Sequence, residues 1–88
     1  MLKHTVTLTN PSGLHARPAA VLVATAKAYV AQITLQYGDK TANAKSILSV
    51  LSLGAAQGSQ IDIVIDGSDE VAAADALGTI FGNNLGED

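Results

Sequence analysis

His15 and Arg17, separated by one alanine, are the residues of this chain whose types and spacing best suit chemistry. They lie in Asn10-Pro11-Ser12-Gly13-Leu14-His15-Ala16-Arg17-Pro18, where turn formers stop an alternating pattern and a segment rich in alanine, leucine and valine begins. Pro18 suits a helix only in its first turn, where its missing N–H has no intrahelical partner. The pattern therefore predicts a helix from Ala16 to about Ala28 with His15 at or near the N-cap. An imidazole placed there faces unpaired backbone N–H groups and the positive end of the helix dipole, a setting for an anion. Arg17 adds a planar guanidinium that matches phosphate or carboxylate bidentately. A neutral histidine nucleophile, anion-binding amides and an arginine together describe a phosphate acceptor. Phosphoryl transfer requires positioning and charge stabilisation rather than a deep cleft. On spacing alone, a histidine at a helix start is more often an ordinary solvated or capping residue, since helix-end electrostatics is generic.

The elements that must position this pair follow from periodicity. Leu2, His4, Val6 and Leu8 alternate with Lys3, Thr5, Thr7 and Thr9, the mark of a half-buried strand; His4 falls in phase with the apolar set and reads as a strand-end packing residue. In the first helix Ala19, Leu22, Val23 and Ala26 recur at helical spacing and should face a core. Ala16, Ala20 and Ala24 then form a smooth row beginning beside His15, with Lys27 at its far end. Such a row is either a set of good helix formers or a rim for docking partners. Ile33, Leu35 and Tyr37 mark a second strand, Gly38-Asp39 a reversal, and Lys40 to Ala44 a short third strand. Ser46 to Leu53 reads as a short helix, capped by Ser46 and ended at Gly54, with Val50 and Leu53 inward and Ile47, Leu48 and Leu51 clustered elsewhere. Gln60 to Asp66 gives a fourth strand with Ile61, Ile63 and Ile65 inward. Ser68 should then cap a third helix running to about Asn83 through Val71, Ala74, Leu77, Ile80 and Phe81, and residues 84–88 should fray.

Composition narrows the partners. The formal net charge of −3, with only five Lys and Arg, argues against nucleic acid, which needs a basic face. No run approaches the ~20 apolar residues of a membrane span, and the first residues lack an apolar signal region, so insertion and export are not expected. The absence of cysteine removes disulfides and thiolate metal sites. No glycine-rich nucleotide-binding motif is present. Charged residues are scarce at 15% against 48% apolar, which leaves apolar surface available to partners.

Gly13-Leu14-His15-Ala16-Arg17-Pro18-Ala19 resembles the active-site signature of the HPr family, the histidine-containing phosphocarriers of the bacterial phosphoenolpyruvate-dependent sugar phosphotransferase system. Asn43-Ala44-Lys45-Ser46-Ile47-Leu48 followed by Leu51-Ser52-Leu53-Gly54 is a second similar stretch at the expected separation, and the resemblance covers nearly all 88 residues. It implies one HPr domain over residues 1–88: an α+β open-faced β-sandwich, βαββαβα, with a four-stranded mainly antiparallel sheet and three helices on one face. By the resemblance, His15 accepts a phosphoryl group from phospho-enzyme I through Nδ1 and passes it to EIIA proteins, while Arg17 and the amides of Ala16 and Arg17 hold the phosphate. Ser46 corresponds to the family's regulatory phosphoserine; Ala16, Ala20, Lys27, Ile47, Leu48 and Leu51 fall on the partner-binding surface. The implied protein is cytoplasmic, uses no cofactor or metal, and is a stoichiometric carrier without turnover of its own. Its further partners would be an HPr kinase/phosphorylase and a transcriptional regulator. One departure is Ala24, where many members carry a basic residue, so steering toward an acidic partner should be weaker. Other readings stay open: a regulatory module acting by binding alone, a nitrogen-branch carrier with the same chemistry, and a small-molecule-binding domain. Retention of His15 and Arg17 speaks against the first as a sole role, since some HPr-like paralogues lack the histidine.

Overall fold

A computed structural model describes residues 1–87, and the alternating isoleucines of β4 (Gln60–Asp66) lie at the centre of what it builds. Ile61, Ile63 and Ile65 are buried beneath the helices, while Asp66 lies exposed on the other face. β4 pairs antiparallel with β1 (Leu2–Thr7) on one side and β2 (Gln32–Tyr37) on the other, and β2 pairs with β3 (Lys40–Asn43), giving the sheet order β1-β4-β2-β3. Helices α1 (Ala16–Lys27), α2 (Ile47–Leu51) and α3 (Glu70–Gly82) cover one face. This is the expected open-faced α+β sandwich, every strand pair being antiparallel.

The first helix forms as its pattern dictates: Ala19, Leu22, Val23 and Ala26 are buried, and Lys27 sits in the last turn, where a cation complements the helix dipole. A carboxylate fixes the loop that follows. Asp69 accepts from the N–H of Val30 at 2.8 Å and of Ala31 at 2.9 Å, tying the α1–β2 connection to the start of α3. Those N–H groups, Val30 first, hold the Asp69 carboxyl below its ordinary value. Gly67 closes the same corner, since a Cβ there would lie 2.5 Å from Ala31 Cα.

Four expectations are corrected. His4 is in register with Ile63, and so on the helix-covered side, yet it is exposed, because β1 is an edge strand and alternation reports the face of a sheet rather than the distance from its edge. Ser68 does not cap α3; Asp69 occupies the N-cap position and spends its carboxylate on the α1–β2 loop. Val71 is 65% exposed, and the buried stripe of α3 is Ala73, Leu77 and Phe81. Ala72, Ala73, Ala74 and Ala76, all ahead of Leu77, left the rotation of that helix undetermined. The segment expected to fray is held: Asn84–Gly86 forms a 3-10 turn that packs against α1 and α3, and Leu85 is 1% exposed. Asp88, the last residue of that expectation, lies outside the described residues. Among the described residues no helix is long and apolar enough to cross a membrane.

Candidate functional site

The chain reverses before α1 in a turn closed by the Gly13 N–H donating to the Asn10 carbonyl at 3.2 Å. Gly13 has φ +60°, and a Cβ there would stand 2.5 Å from the Ala55 carbonyl oxygen and 2.7 Å from Ala56 Cα. Only glycine meets both conditions. Leu14 follows with its N–H donating to that same Ala55 oxygen at 2.9 Å and its side chain buried, so the backbone is pinned immediately before His15.

His15 is the N-cap of α1, with φ −90° and ψ −177° and no hydrogen bond from its side chain to the helix. Its carbonyl accepts from Ala19 N at 2.8 Å, which starts the helical ladder and leaves the imidazole exposed. Pro18 brings no N–H to this end, and among the described residues no backbone carbonyl accepts from the N–H of Ala16 or Arg17. Two amides therefore remain available beside the ring. Arg17 is exposed and makes no ion pair within 4.0 Å among the described residues. Imidazole, two free amides and a guanidinium thus share one open helix end, as the spacing led one to expect.

Residues 84–87 supply side chains that periodicity did not reveal. The Glu87 carboxylate accepts from Asn10 Nδ2 at 2.9 Å, Ser12 N at 3.1 Å and Ser12 Oγ at 2.8 Å. Asn10 is buried and donates its second amide hydrogen to the Gly13 carbonyl at 2.7 Å. The Asn10 amide, then Ser12 and the nearby charge of Arg17, hold the Glu87 carboxyl below its ordinary value. Thr9 Oγ1 also donates to Asn84 Oδ1. One sequence signal was available: Leu85 lies four residues beyond Phe81, continuing the buried i, i+4 series of α3.

The second family-like stretch forms a separate surface. Ser46 is the N-cap of α2 and accepts from Ser49 N at 3.4 Å; Val50 and Leu53 are buried, and Gly54 has φ +62°, the left-handed conformation expected of it. Ile47 is 41% and Leu48 81% exposed, while Leu51 is only half-exposed and packs against the core. The apolar patch is therefore narrower than expected. On α1, Ala16, Ala20, Ala24 and Lys27 are exposed in one row. Lys45 Nζ donates to the Tyr29 carbonyl beyond the far end of α1, whereas Ala55, after α2, meets the turn before His15. Ser46 accordingly lies toward the end of α1 away from His15.

A family model for the HPr component of the phosphotransferase system, described as its phosphorylation site, matches residues 2–83. The chain belongs to the HPr family. The phosphocarrier protein HPr of Xylella fastidiosa strain Temecula1 is 46% identical over 88 residues, covering 100% of this chain and 99% of its own. Among solved structures, HPr-C-His from Thermoanaerobacter tengcongensis superposes with a TM-score of 0.96 at 40% identity, covering 100% of this chain and 99% of that one. Crh, the Bacillus subtilis catabolite repression containing protein, whose crystal structure is a swapped dimer, is more distant, with a TM-score of 0.75 and 31% identity over 96% of this chain and 97% of that one. Membership makes this chain an HPr phosphocarrier of the phosphotransferase system. Phosphohistidine, serine regulation and sugar transport are the family's chemistry.

Proposed function

We propose that His15 is the phosphoryl acceptor, taking the group from phospho-enzyme I and passing it to sugar-specific EIIA proteins. A ring nitrogen of the neutral imidazole attacks phosphorus in line. The bond to the donor breaks, and its electron pair stays on the donor. In the second transfer the His15 nitrogen leaves with the pair while the acceptor attacks. The N–H groups of Ala16 and Arg17 and the Arg17 guanidinium face the transferring oxygens, which carry the charge of a loose transition state. The imidazole is freed when an EIIA protein takes the phosphoryl group, so on this reading the protein is a stoichiometric reactant, placed in the cytoplasm as its family is. The observation that carries the reading is the exposed His15 at a helix start whose next two amides have no acceptor among the described residues.

Partners dock on the exposed row Ala16, Ala20 and Lys27 and on Ile47 and Leu48, with Leu51 contributing its exposed edge. Ser46 is the control point, served by an HPr kinase/phosphorylase; a phosphate of about −1.5 to −2 charge beside Leu48 would disturb an apolar contact. Because Ser46 lies toward the other end of α1, that control acts on docking rather than on the His15 ring.

Mass spectrometry with enzyme I and phosphoenolpyruvate supplied tests the reading. Wild type should gain one phosphoryl group that mild acid removes, and His15→Ala should gain none. An adduct that persists in His15→Ala, or none on wild type, rejects His15. A second reading, a regulatory module that binds a transcriptional regulator or metabolic enzyme, is favoured by the 81% exposure of Leu48 and the likeness to Crh; it predicts binding undiminished by His15→Ala. The nitrogen-branch alternative differs in its donor, and phosphorylation by the sugar-system enzyme I separates the two.

A further inference from the structure

We propose that Glu87 is a positioning residue for His15, its carboxylate holding the Asn10–Gly13 turn that aims the backbone into α1. This rests on the assignment of His15 as phosphoryl acceptor. Three donors converge on one carboxylate: Oε1 takes Asn10 Nδ2 and Ser12 N, and Oε2 takes Ser12 Oγ. Between them they fix the first and third residues of the turn. Asn10 is buried at 1% exposure, and with one amide hydrogen on Gly13 O and the other on Glu87 its donor capacity is filled.

The carboxylate is itself held in place. Leu85 is sunk in the core at 1% exposure, Glu87 N donates to the Asn84 carbonyl at 2.9 Å, and Gly86 N donates to the Asn83 carbonyl at 3.1 Å. Asn84 and Leu85 adopt φ +56° and +51°, the left-handed region, which asparagine tolerates but which leucine holds only where surrounding contacts fix it. The chain bends there at a cost, and the bend brings Glu87 over the turn.

His15 is only three residues beyond Ser12, and Ala55 pins the far side of the turn through Leu14 N. With Glu87 released, the turn keeps the Ala55 anchor and loses the opposite one, so His15 and the two amides after it shift relative to an incoming phosphorus. Misplacement of reacting groups by about 1 Å can cost up to about a hundredfold in rate. The partial loss of anchoring expected here corresponds to roughly tenfold in the maximal transfer rate, with little change in the KM for phospho-enzyme I.

Three variants and three measurements test this. Glu87→Ala should lower the maximal phosphorylation rate about tenfold and change KM less than twofold, with melting lowered by only a few degrees. The Ser12 amide and His15 ring resonances should move in the same variant. Glu87→Gln keeps an oxygen for Asn10 and Ser12 N and offers an N–H to Ser12 Oγ, so it should restore the rate to within about twofold. Ser12→Ala, which removes one anchor and leaves the chain otherwise intact, should lose a smaller factor and covers the case in which Glu87→Ala folds poorly. A wild-type rate in Glu87→Ala or an unmoved His15 ring overturns the proposal, as does a deficit equal in Glu87→Gln, which would indicate charge rather than position. A wild-type protein with no phosphohistidine would instead reject the acceptor assignment, and the His15 resonances would still report whether Glu87 positions the ring.

Discussion

Gly13 stands against Ala55 with no room for a side chain between them: a Cβ on Gly13 would be 2.5 Å from the Ala55 carbonyl oxygen, the oxygen that also accepts from Leu14 N. The turn before His15 is therefore built around an absent methyl group. Gly13→Ala meets two penalties, the positive φ and the clash with backbone that cannot swing aside. It should lose about 3 kcal/mol by urea denaturation. At neutral pH the variant should still be mostly folded, with the His15 and Leu14 resonances displaced. Stability unchanged within about 0.5 kcal/mol would show that the two segments separate easily.

The exposure difference between Leu48 and Leu51 separates recognition from folding. Leu48→Asp should weaken binding to enzyme I about tenfold with an unchanged melting temperature, because its side chain touches mostly water. Leu51→Asp should weaken binding and also lower the melting temperature, since Leu51 packs against the core. Ala20→Leu, on the α1 row, should impair transfer without destabilising the fold. Titration calorimetry beside thermal unfolding checks the two leucine variants, phosphotransfer rate beside thermal unfolding checks Ala20→Leu, and equal binding by Leu48→Asp and wild type would remove α2 from the docking surface.

What the sequence made legible depended on how local the determinant was. Apolar spacing set the buried face of α1, and Pro18 with the turn formers located its start, because both signals lie within one segment. The sheet faces of β2 and β4 followed from alternation in the same way. His4 was misplaced because exposure at a sheet edge depends on strand order, a property of the whole chain. Val71 was misplaced because Ala72, Ala73, Ala74 and Ala76 let several rotations of α3 look equally apolar. Glu87 escaped notice because its partners Asn10 and Ser12 are separated from it by nearly the whole chain. His15 and Arg17 at the start of α1 were thus legible, and the Glu87 carboxylate that holds the turn before them was not.

Acid should loosen the corner opposite the candidate site. Asp69 accepts from Val30 N and Ala31 N, Glu70 accepts from Gly67 N and from the Met1 amine, and both carboxyls lie below their ordinary values of 3.8 and 4.5. A depressed folded value means that the charged form is the one stabilised by folding. The contribution is complete above the unfolded value and is lost as pH falls through the folded one. Stability should therefore decline below about pH 4, steepening as pH falls further. Asp69→Asn offers one oxygen where two N–H groups need acceptors and does not titrate, so it should be less stable at pH 7 and show a shallower acid limb. Urea midpoints at several pH values measure this, and parallel acid limbs would exclude Asp69 as a contributor.

Ser46 allows helix capping to be separated from control. Its oxygen accepts from Ser49 N at 3.4 Å, a long bond, so Ser46→Ala should cost only about 0.5 kcal/mol, at the low end for a cap. An aspartate at the same position caps well and puts negative charge at a helix start, so Ser46→Asp should be at least as stable as Ser46→Ala. That charge nevertheless stands next to Ile47 and Leu48, the exposed part of the apolar patch, and toward the end of α1 away from His15. Its effect on phosphoryl transfer should therefore appear as a raised KM for enzyme I, severalfold or more, with the maximal rate preserved. Added salt should reduce the difference from wild type to the extent that repulsion of an acidic partner causes it. A Ser46→Asp variant with a wild-type KM and a depressed maximal rate would place its effect at the His15 ring, across the length of α1, and would exclude control through docking.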